Sequence, residues 1–182
     1  MIIFLQNNNL NLLIPELRHH GAYSPHFSGV NYKHMYYNIT NTTSSSTDKT
    51  QIKTELQQYG IKEGILKLDI VHKVCNLFPK NIKIKTLSFV KINPNKKIDK
   101  HVDNKKNRST VLSIPLAPNF SKYKPVTFYD FETNWIDLPF LMPTEKLHSV
   151  DNNEYTRVNF QIGFEYSIDT MNNYYKNGQL FL

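Results

Sequence analysis

Apolar residues in the middle of the chain follow a helical period. Between residues 62 and 78 they recur at steps of three and four, which places on one helix face Leu66, Ile70, Val71, Val74, Cys75 and Phe78. Pro79 follows and cannot continue the helix. An earlier helix is predicted to begin at a cap among residues 46–48 and to end at Gly60. Residues 51–79 are therefore predicted to form supporting helices.

After Pro79 the period changes from helical to alternating. Short apolar stretches, separated by turn residues such as Asn93-Pro94-Asn95, are typical of strands. About seven strands are predicted, at residues 82–89, 97–103, 109–116, 125–131, 139–143, 146–150 and 155–165. Helices followed by a run of short strands favour a single antiparallel sandwich or barrel, with the helices on one outer face.

Residues 1–47 show no sustained period. We expect irregular structure there, with one or two short strands that wrap a core built elsewhere. Residues 38–48 form a polar tract typical of a loop. The segment also holds four histidines whose spacing repeats no ligand pattern, which favours surface or packing roles over a metal cluster: His19, His20, His26 and His34.

Composition departs from that of an ordinary globular chain in two respects. A length of 182 residues predicts one domain with its own core. Aromatic residues make up 13% of the chain, and the net charge is +7, much of it in short runs such as Lys96-Lys97. A solvated basic surface explains the charge most simply. The alternative is attraction to an anionic partner, such as nucleic acid or an acidic substrate.

Disulfide and membrane chemistry are not expected. The single cysteine, Cys75, excludes an internal disulfide and a cysteine-based zinc motif, and its apolar neighbours predict a buried thiol. No apolar run approaches the roughly 18 residues of a membrane span. The apolar stretch at residues 1–5 is too short for a secretory signal. We therefore expect no membrane partner and a cytoplasmic location.

The sequence His101-Val102-Asp103 is the first candidate for chemistry. On a strand, alternate side chains share a face, so the imidazole of His101 and the carboxylate of Asp103 point the same way. Together they supply two ligands of a metal site with mixed nitrogen and oxygen donors. The pair requires a third ligand from another strand, and His148 lies at the end of one.

A second polar cluster follows near residue 157. If Asn152-Asn153 is the centre of a two-residue hairpin loop, His148 lies directly across from Arg157. Residues 159 and 161 then share the face of Arg157. The other face is apolar and can pack against helices through Val158, Phe160, Ile162 and Phe164. A polar face of this kind can also simply meet water, as in many antiparallel sheets.

His101-x-Asp103, then His148, then Arg157 nine residues later resembles the 2-oxoglutarate and Fe(II)-dependent oxygenase superfamily. Small bacterial and phage members and aspartyl/asparaginyl hydroxylase-like branches are similar. Prolyl 4-hydroxylases are similar too but rank lower, because they typically carry Lys at the position of Arg157. The resemblance implies a mainly β fold with supporting helices, a double-stranded β-helix (the cupin-like jelly roll). It implies one domain, 1–182, in four parts: residues 1–50, irregular and a candidate lid; 51–79, supporting helices; 82–165, the jelly-roll core; and 166–182, a C-terminal extension.

The resemblance also implies roles for individual residues. His101, Asp103 and His148 would be the catalytic metal ligands and would hold Fe(II), leaving positions for 2-oxoglutarate and dioxygen. Arg157 would bind the far carboxylate of 2-oxoglutarate, since a planar guanidinium matches a carboxylate. The remaining cofactor-binding candidates are Asn159, beside Arg157, and two residues that could add a hydrogen bond, Tyr129 and Arg108.

The implied activity is hydroxylation of a substrate, coupled to decarboxylation of 2-oxoglutarate to succinate and CO2. The substrate can be an amino acid, a protein side chain, a nucleobase or a small metabolite, since specificity resides in loops rather than in the metal strands. Two alternatives stay open. One is a basic jelly-roll protein that binds nucleic acid or an acidic partner without catalysis. The other is a cupin-like metalloenzyme with different chemistry.

Overall fold

The computed structural model describes residues 1–19, 36–39, 68–92, 97–103, 108–117, 126–132, 138–151 and 157–182. Strands dominate these parts of the chain, and three helices accompany them. In chain order the elements are β1 (Ile3–Phe4), α1 (Asn8–Arg18), β2 (Tyr36–Ile39), α2 (Asp69–Cys75), β3 (Ile84–Ile92), β4 (Lys97–His101), β5 (Thr110–Ala117), β6 (Thr127–Phe128), β7 (Phe140–Pro143), β8 (His148–Asp151), β9 (Arg157–Phe164) and α3 (Ile168–Lys176).

The strands form two sheets, and the chain alternates between them. The major sheet has the order β1-β7-β5-β9-β3-β2, and the minor sheet has the order β4-β8-β6. From β3 to β9, each odd-numbered strand lies in the major sheet and each even-numbered strand in the minor sheet. All the pairings are antiparallel except that of β2 with β3. This alternation is that of a double-stranded β-helix, so the predicted jelly-roll fold is confirmed.

Strand β9 lies at the centre of the major sheet, between β5 and β3. Its apolar face packs against the helices, as predicted, through Val158, Phe160, Ile162 and Phe164. The ring of Phe160 lies 4.8 Å from that of Phe89 on β3, and the ring of Phe164 lies 5.5 Å from that of Phe78, which follows α2. Burying each such ring contributes about 1.5–3 kcal/mol, so this layer is a major source of stability.

Helix α1 corrects the prediction of irregular structure in residues 1–50. The side chain of Asn7 accepts a hydrogen bond from the backbone N–H of Leu10 at 2.8 Å and so caps the helix. A helical period is present in Leu10, Leu13, Ile14 and Leu17, and these residues pack into or against the core. Flanking asparagines and Pro15 obscure that period in the sequence. One or two short strands were expected in this segment, and the described residues contain β1 and β2.

Helix α2 confirms part of the helix predicted for residues 62–78. Its apolar face is buried at Ile70, Val71 and Val74. Cys75 packs against the same core, and burial raises the pKa of its thiol to about 11, as befits an unreactive core cysteine. The earlier predicted helix lies outside the described residues, and so does the start of this one.

Helix α3 lies in the segment that was predicted only as a C-terminal extension. Ser167 caps it by accepting a hydrogen bond from the N–H of Thr170 at 3.2 Å. The side chains of Ile168 and Met171 are buried in the same core as the apolar face of β9. Among the helices of the described ranges, none has the length and apolar character needed to cross a membrane.

A second apolar core fills the space between the two sheets. It contains Val90 and Val111 from the major sheet and Phe128 and Val150 from the minor sheet. Val90 lies directly across from Asn159 in the β3–β9 pair, so Asn159 faces this space rather than the helices. The space between the sheets is where the predicted polar residues meet.

Candidate metal centre

The connection between β8 and β9 is not the predicted hairpin. Strand β8 pairs with β4 and β6 in the minor sheet, whereas β9 pairs with β3 and β5 in the major sheet. Arg157 therefore lies across from Ile92, not from His148. The prediction is wrong because side-chain alternation fixes the face of a residue but not the partner of its strand. The loop on which it depended, residues 152–156, lies outside the described residues.

The two histidines are neighbours across the minor sheet. His101 pairs with His148, and their ring centroids lie 4.4 Å apart. On the other side of His148, the ring of Phe128 lies 5.5 Å away. His148 is 3% exposed and shares its strand face with Val150, two residues later, so its imidazole faces the space between the sheets.

A β-bulge brings His101 to this face. Ile98 pairs with Val150 and His101 pairs with His148, so β4 contains one residue more than β8 between the two pairs. Ile98 and His101 are three residues apart, so in a regular strand without a bulge they would lie on opposite faces of the sheet. Ile98 packs against the core between the sheets. The bulge therefore turns the His101 side chain to the same side as His148.

Asp103 completes the cluster just beyond the end of β4. Its N–H donates to the carbonyl oxygen of Thr144 at 2.9 Å, and its Oδ1 lies 3.7 Å from Nε2 of His101. Val102, which alternation turns the other way, is 36% exposed. One ligand atom each from His101, Asp103 and His148 lies within 4.8 Å of the others, which is close enough to share a single ion.

The backbone orients both imidazoles in the same manner. Nδ1 of His101 lies 2.6 Å from the carbonyl oxygen of Asp99, and Nδ1 of His148 lies 2.7 Å from that of Lys146. A carbonyl oxygen can only accept, so each Nδ1 carries the proton and each Nε2 keeps its lone pair. Hydrogen bonds of this kind fix the tautomer and the ring orientation of metal-binding histidines.

Burial also favours the neutral imidazole of His148, which is the form that binds metals. Desolvation lowers the pKa of its imidazole, although the hydrogen bond to Lys146 and the nearby Asp103 carboxylate act in the opposite direction. A lowered pKa keeps the ring neutral at physiological pH, and only the neutral ring can bind a metal.

Arg108 lies against the cluster and contacts one of its ligands. Its Nη2 donates to Oδ2 of Asp103 at 2.7 Å, and the residue is 7% exposed. The sequence suggested only that Arg108 could touch a bound co-substrate. Two further residues that lie against Arg108, Thr144 and Gly163, were not predicted from the sequence, because neither belongs to a recognisable ligand pattern.

Arg157 and Asn159 face the space between the sheets from the opposite side. Arg157 is 2% exposed, and burial lowers the pKa of its guanidinium to about 9, so the group is still charged at neutral pH. Asn159 is 5% exposed, and its Oδ1 has no hydrogen-bond partner among the described residues. A buried cation with a buried amide beside it suits a small anion, and a carboxylate matches the guanidinium geometry.

Tyr129 is not brought into the cluster. It is 47% exposed, and its hydroxyl lies 2.8 Å from Oγ of Ser149, with Nζ of Lys100 3.8 Å from the ring centroid. Ser149 alternates with His148 along β8, so this contact lies on the opposite face of the minor sheet.

The donor set suits a divalent transition metal. Two imidazoles and one carboxylate are the ligands of non-haem Fe(II) sites that keep positions open for other ligands. The buried Arg157 and Asn159 across the space could hold an anionic co-substrate. The donor set among the described residues therefore fits Fe(II), and the guanidinium and amide on the facing sheet suit a carboxylate.

No protein-family model and no curated protein matches the sequence. Among solved structures, a prolyl-4-hydroxylase of Pseudomonas putida is similar, with 12% identity and a TM-score of 0.37 over 69% of this chain and 70% of that chain. A prolyl hydroxylase from Trichoplax adhaerens, in complex with a hypoxia inducible factor oxygen degradation domain peptide fragment, has 14% identity and a TM-score of 0.39 over 90% and 82%.

Proposed function

We propose that the protein is a 2-oxoglutarate and Fe(II)-dependent dioxygenase that hydroxylates a substrate. The observation that carries this proposal is the cluster of His101, Asp103 and His148, whose ligand atoms lie within 4.8 Å of one another. Chance clusters of such residues are common on surfaces. Here, however, His148 is buried, and both imidazoles are turned by backbone hydrogen bonds that free Nε2.

In this proposal, His101, His148 and Asp103 would hold the iron, the histidines through Nε2 and the aspartate through Oδ1. When bound, the iron would supply the oxidising chemistry that couples decarboxylation of 2-oxoglutarate to hydroxylation. The protein's own contribution is to fix the three ligands and to exclude water. The core between the sheets, with Phe128 against His148, provides the apolar surroundings.

Arg157 and Asn159 would bind the far carboxylate of 2-oxoglutarate. The burial of Arg157 and the planar fork of its guanidinium, which matches the geometry of a carboxylate, support this role. Their place on the opposite sheet from the histidines would let the co-substrate bridge the space between the sheets. Succinate and CO2 would be the products derived from it.

The test is formation of succinate from 2-oxoglutarate with Fe(II) and dioxygen, first without substrate and then with pools of amino acids, peptides, nucleosides and small metabolites. We expect slow turnover without substrate and faster turnover with the right pool. His101→Ala and His148→Ala should abolish both. His72→Ala is the matched control, because His72 is exposed on α2 and remote in sequence from the cluster.

The absence of succinate formation, together with the absence of Fe(II) binding by the wild-type protein, would overturn the proposal. Salt-sensitive binding to nucleic acid that is unaffected by changes at the three ligands would favour the non-catalytic binding protein instead.

A further inference from the structure

The two carboxylate oxygens of Asp103 have different neighbours. Oδ2 accepts a hydrogen bond from Nη2 of Arg108 at 2.7 Å, whereas Oδ1 lies 3.7 Å from Nε2 of His101. Both side chains of the Asp103–Arg108 pair are largely buried, with 17% and 8% exposure. Nε of Arg108 has no hydrogen-bond partner among the described residues, which makes the ion pair the more important for the buried charge.

The backbone of β9 makes room for the Arg108 side chain at Gly163. A Cβ added at residue 163 would lie 2.6 Å from Cδ of Arg108 and 2.9 Å from Cγ, and it would also collide with Oγ1 of Thr86. These distances are shorter than real Cβ contacts, so any other residue would push the arginine aside. Glycine here permits the close approach of a side chain to the strand.

Thr144 fixes the backbone at both ends of the ion pair. Its carbonyl oxygen accepts from the N–H of Asp103 at 2.9 Å, and its Oγ1 donates to the carbonyl oxygen of Arg108 at 2.6 Å. Since the backbones of residues 103 and 108 are both hydrogen-bonded to the same residue, two further hydrogen bonds support the ion pair. Such a buried, multiply held contact to a ligand is more than an incidental surface pair.

We propose that Arg108 is a positioning residue for the metal centre: by holding Oδ2 of Asp103, it presents Oδ1 alone to the ion. This inference rests on the metal binding proposed above. A carboxylate that binds through one oxygen occupies one coordination position, whereas one that binds through both occupies two. Arg108 thereby keeps a position available for the co-substrate or for dioxygen.

Titration with Co(II) under anaerobic conditions tests the inference, with visible absorption as the readout of affinity and coordination. Arg108→Gln should weaken Co(II) binding, or reduce succinate formation with Fe(II), by about 10–100-fold, the usual effect of removing a group that orients a ligand. Gly163→Ala should act in the same direction without removing a functional group. Arg108→Lys, which keeps one cationic donor, should recover part of the loss.

Arg18→Gln is the control, because Nε of Arg18 donates to the carbonyl oxygen of Leu116 on β5, among the residues packed against the helices. It should leave Co(II) affinity and spectrum unchanged. All titrations are run well below each variant's thermal midpoint, so that a loss of stability alone does not alter the readout.

Wild-type affinity, spectrum and activity in both Arg108→Gln and Gly163→Ala would overturn the positioning role, while the proposed function would stand. Failure of the wild-type protein to bind Co(II), or undiminished binding in Asp103→Ala, would overturn the metal centre and the positioning role together. The two failures are thus distinguishable.

Discussion

At the scale of single residues, a local backbone hydrogen bond orients each histidine of the site. Each Nδ1 contacts the carbonyl oxygen of the residue two positions earlier, Asp99 for His101 and Lys146 for His148. The backbone thus fixes the tautomer before any metal arrives. Preorganised ligands lose little conformational entropy on binding, which favours affinity.

Arg157 provides the sharpest test at this scale. Arg157→Ala should weaken 2-oxoglutarate binding by about 2–5 kcal/mol, because it removes one partner of a buried charge pair. Isothermal titration with 2-oxoglutarate in the presence of a redox-inert divalent metal measures the loss. Arg157→Lys should lose less, since it keeps the charge but not the planar pair of donors.

Metal affinity should stay near that of the wild type in both Arg157 variants, which separates a co-substrate role from general damage to the site. Undiminished affinity for 2-oxoglutarate in Arg157→Ala would mean that a different residue binds its far carboxylate.

At the scale of elements, side-chain alternation correctly gave the two faces of β9 but not the strands with which β8 and β9 pair. The sequence correctly separated the apolar face of β9 from its polar face, because that separation depends only on position along one strand. It could not assign β8 and β9 to different sheets, since strand pairing depends on distant parts of the chain. Nor did it reveal the bulge in β4, which appears only in the register with β8.

Helix α1 allows a matched comparison of two leucines in one element. Leu10 is fully buried and Leu12 is 76% exposed. Leu10→Ala should reduce the free energy of unfolding by about 2–5 kcal/mol, through lost burial and the cavity left behind. Leu12→Ala should change it by no more than about 0.5 kcal/mol.

Chemical denaturation of the two variants measures both values. Equal effects would mean that α1 does not dock through the buried face described above.

At the scale of the whole molecule, the sequence predicted the fold class and pointed to the three side chains that lie together as candidate ligands, but not the support around them. The spacing of His101, Asp103 and His148 identified them as candidate ligands, because only a few residue types can bind a metal. The support of Asp103 by Arg108, Thr144 and Gly163 arises from three separate segments. No local pattern records such an arrangement.

Because the cluster joins two strands distant in sequence, metal binding should be linked to global stability. Fe(II) at about 100 times its dissociation constant should stabilise the folded protein by about 2.7 kcal/mol. The measurement is made under anaerobic conditions with 2-oxoglutarate present. For a chain of this size the melting temperature should rise by about 5–10 °C. Differential scanning fluorimetry measures the shift.

His148→Ala should lose that shift, and His72→Ala should retain it. An unchanged melting temperature in the wild-type protein at saturating metal would contradict the linkage.

The central position of β9 has a consequence for the order in which the protein can be built during translation. β9 leaves the ribosome after β5 and β3, yet in the sheet it lies between them. Until residues 157–164 emerge, both of those strands keep an edge that lacks its final partner, and unpaired edges invite aggregation. The same late strand carries Arg157 and Asn159. The nascent chain therefore completes its sheet and gains the proposed co-substrate anchor in a single step.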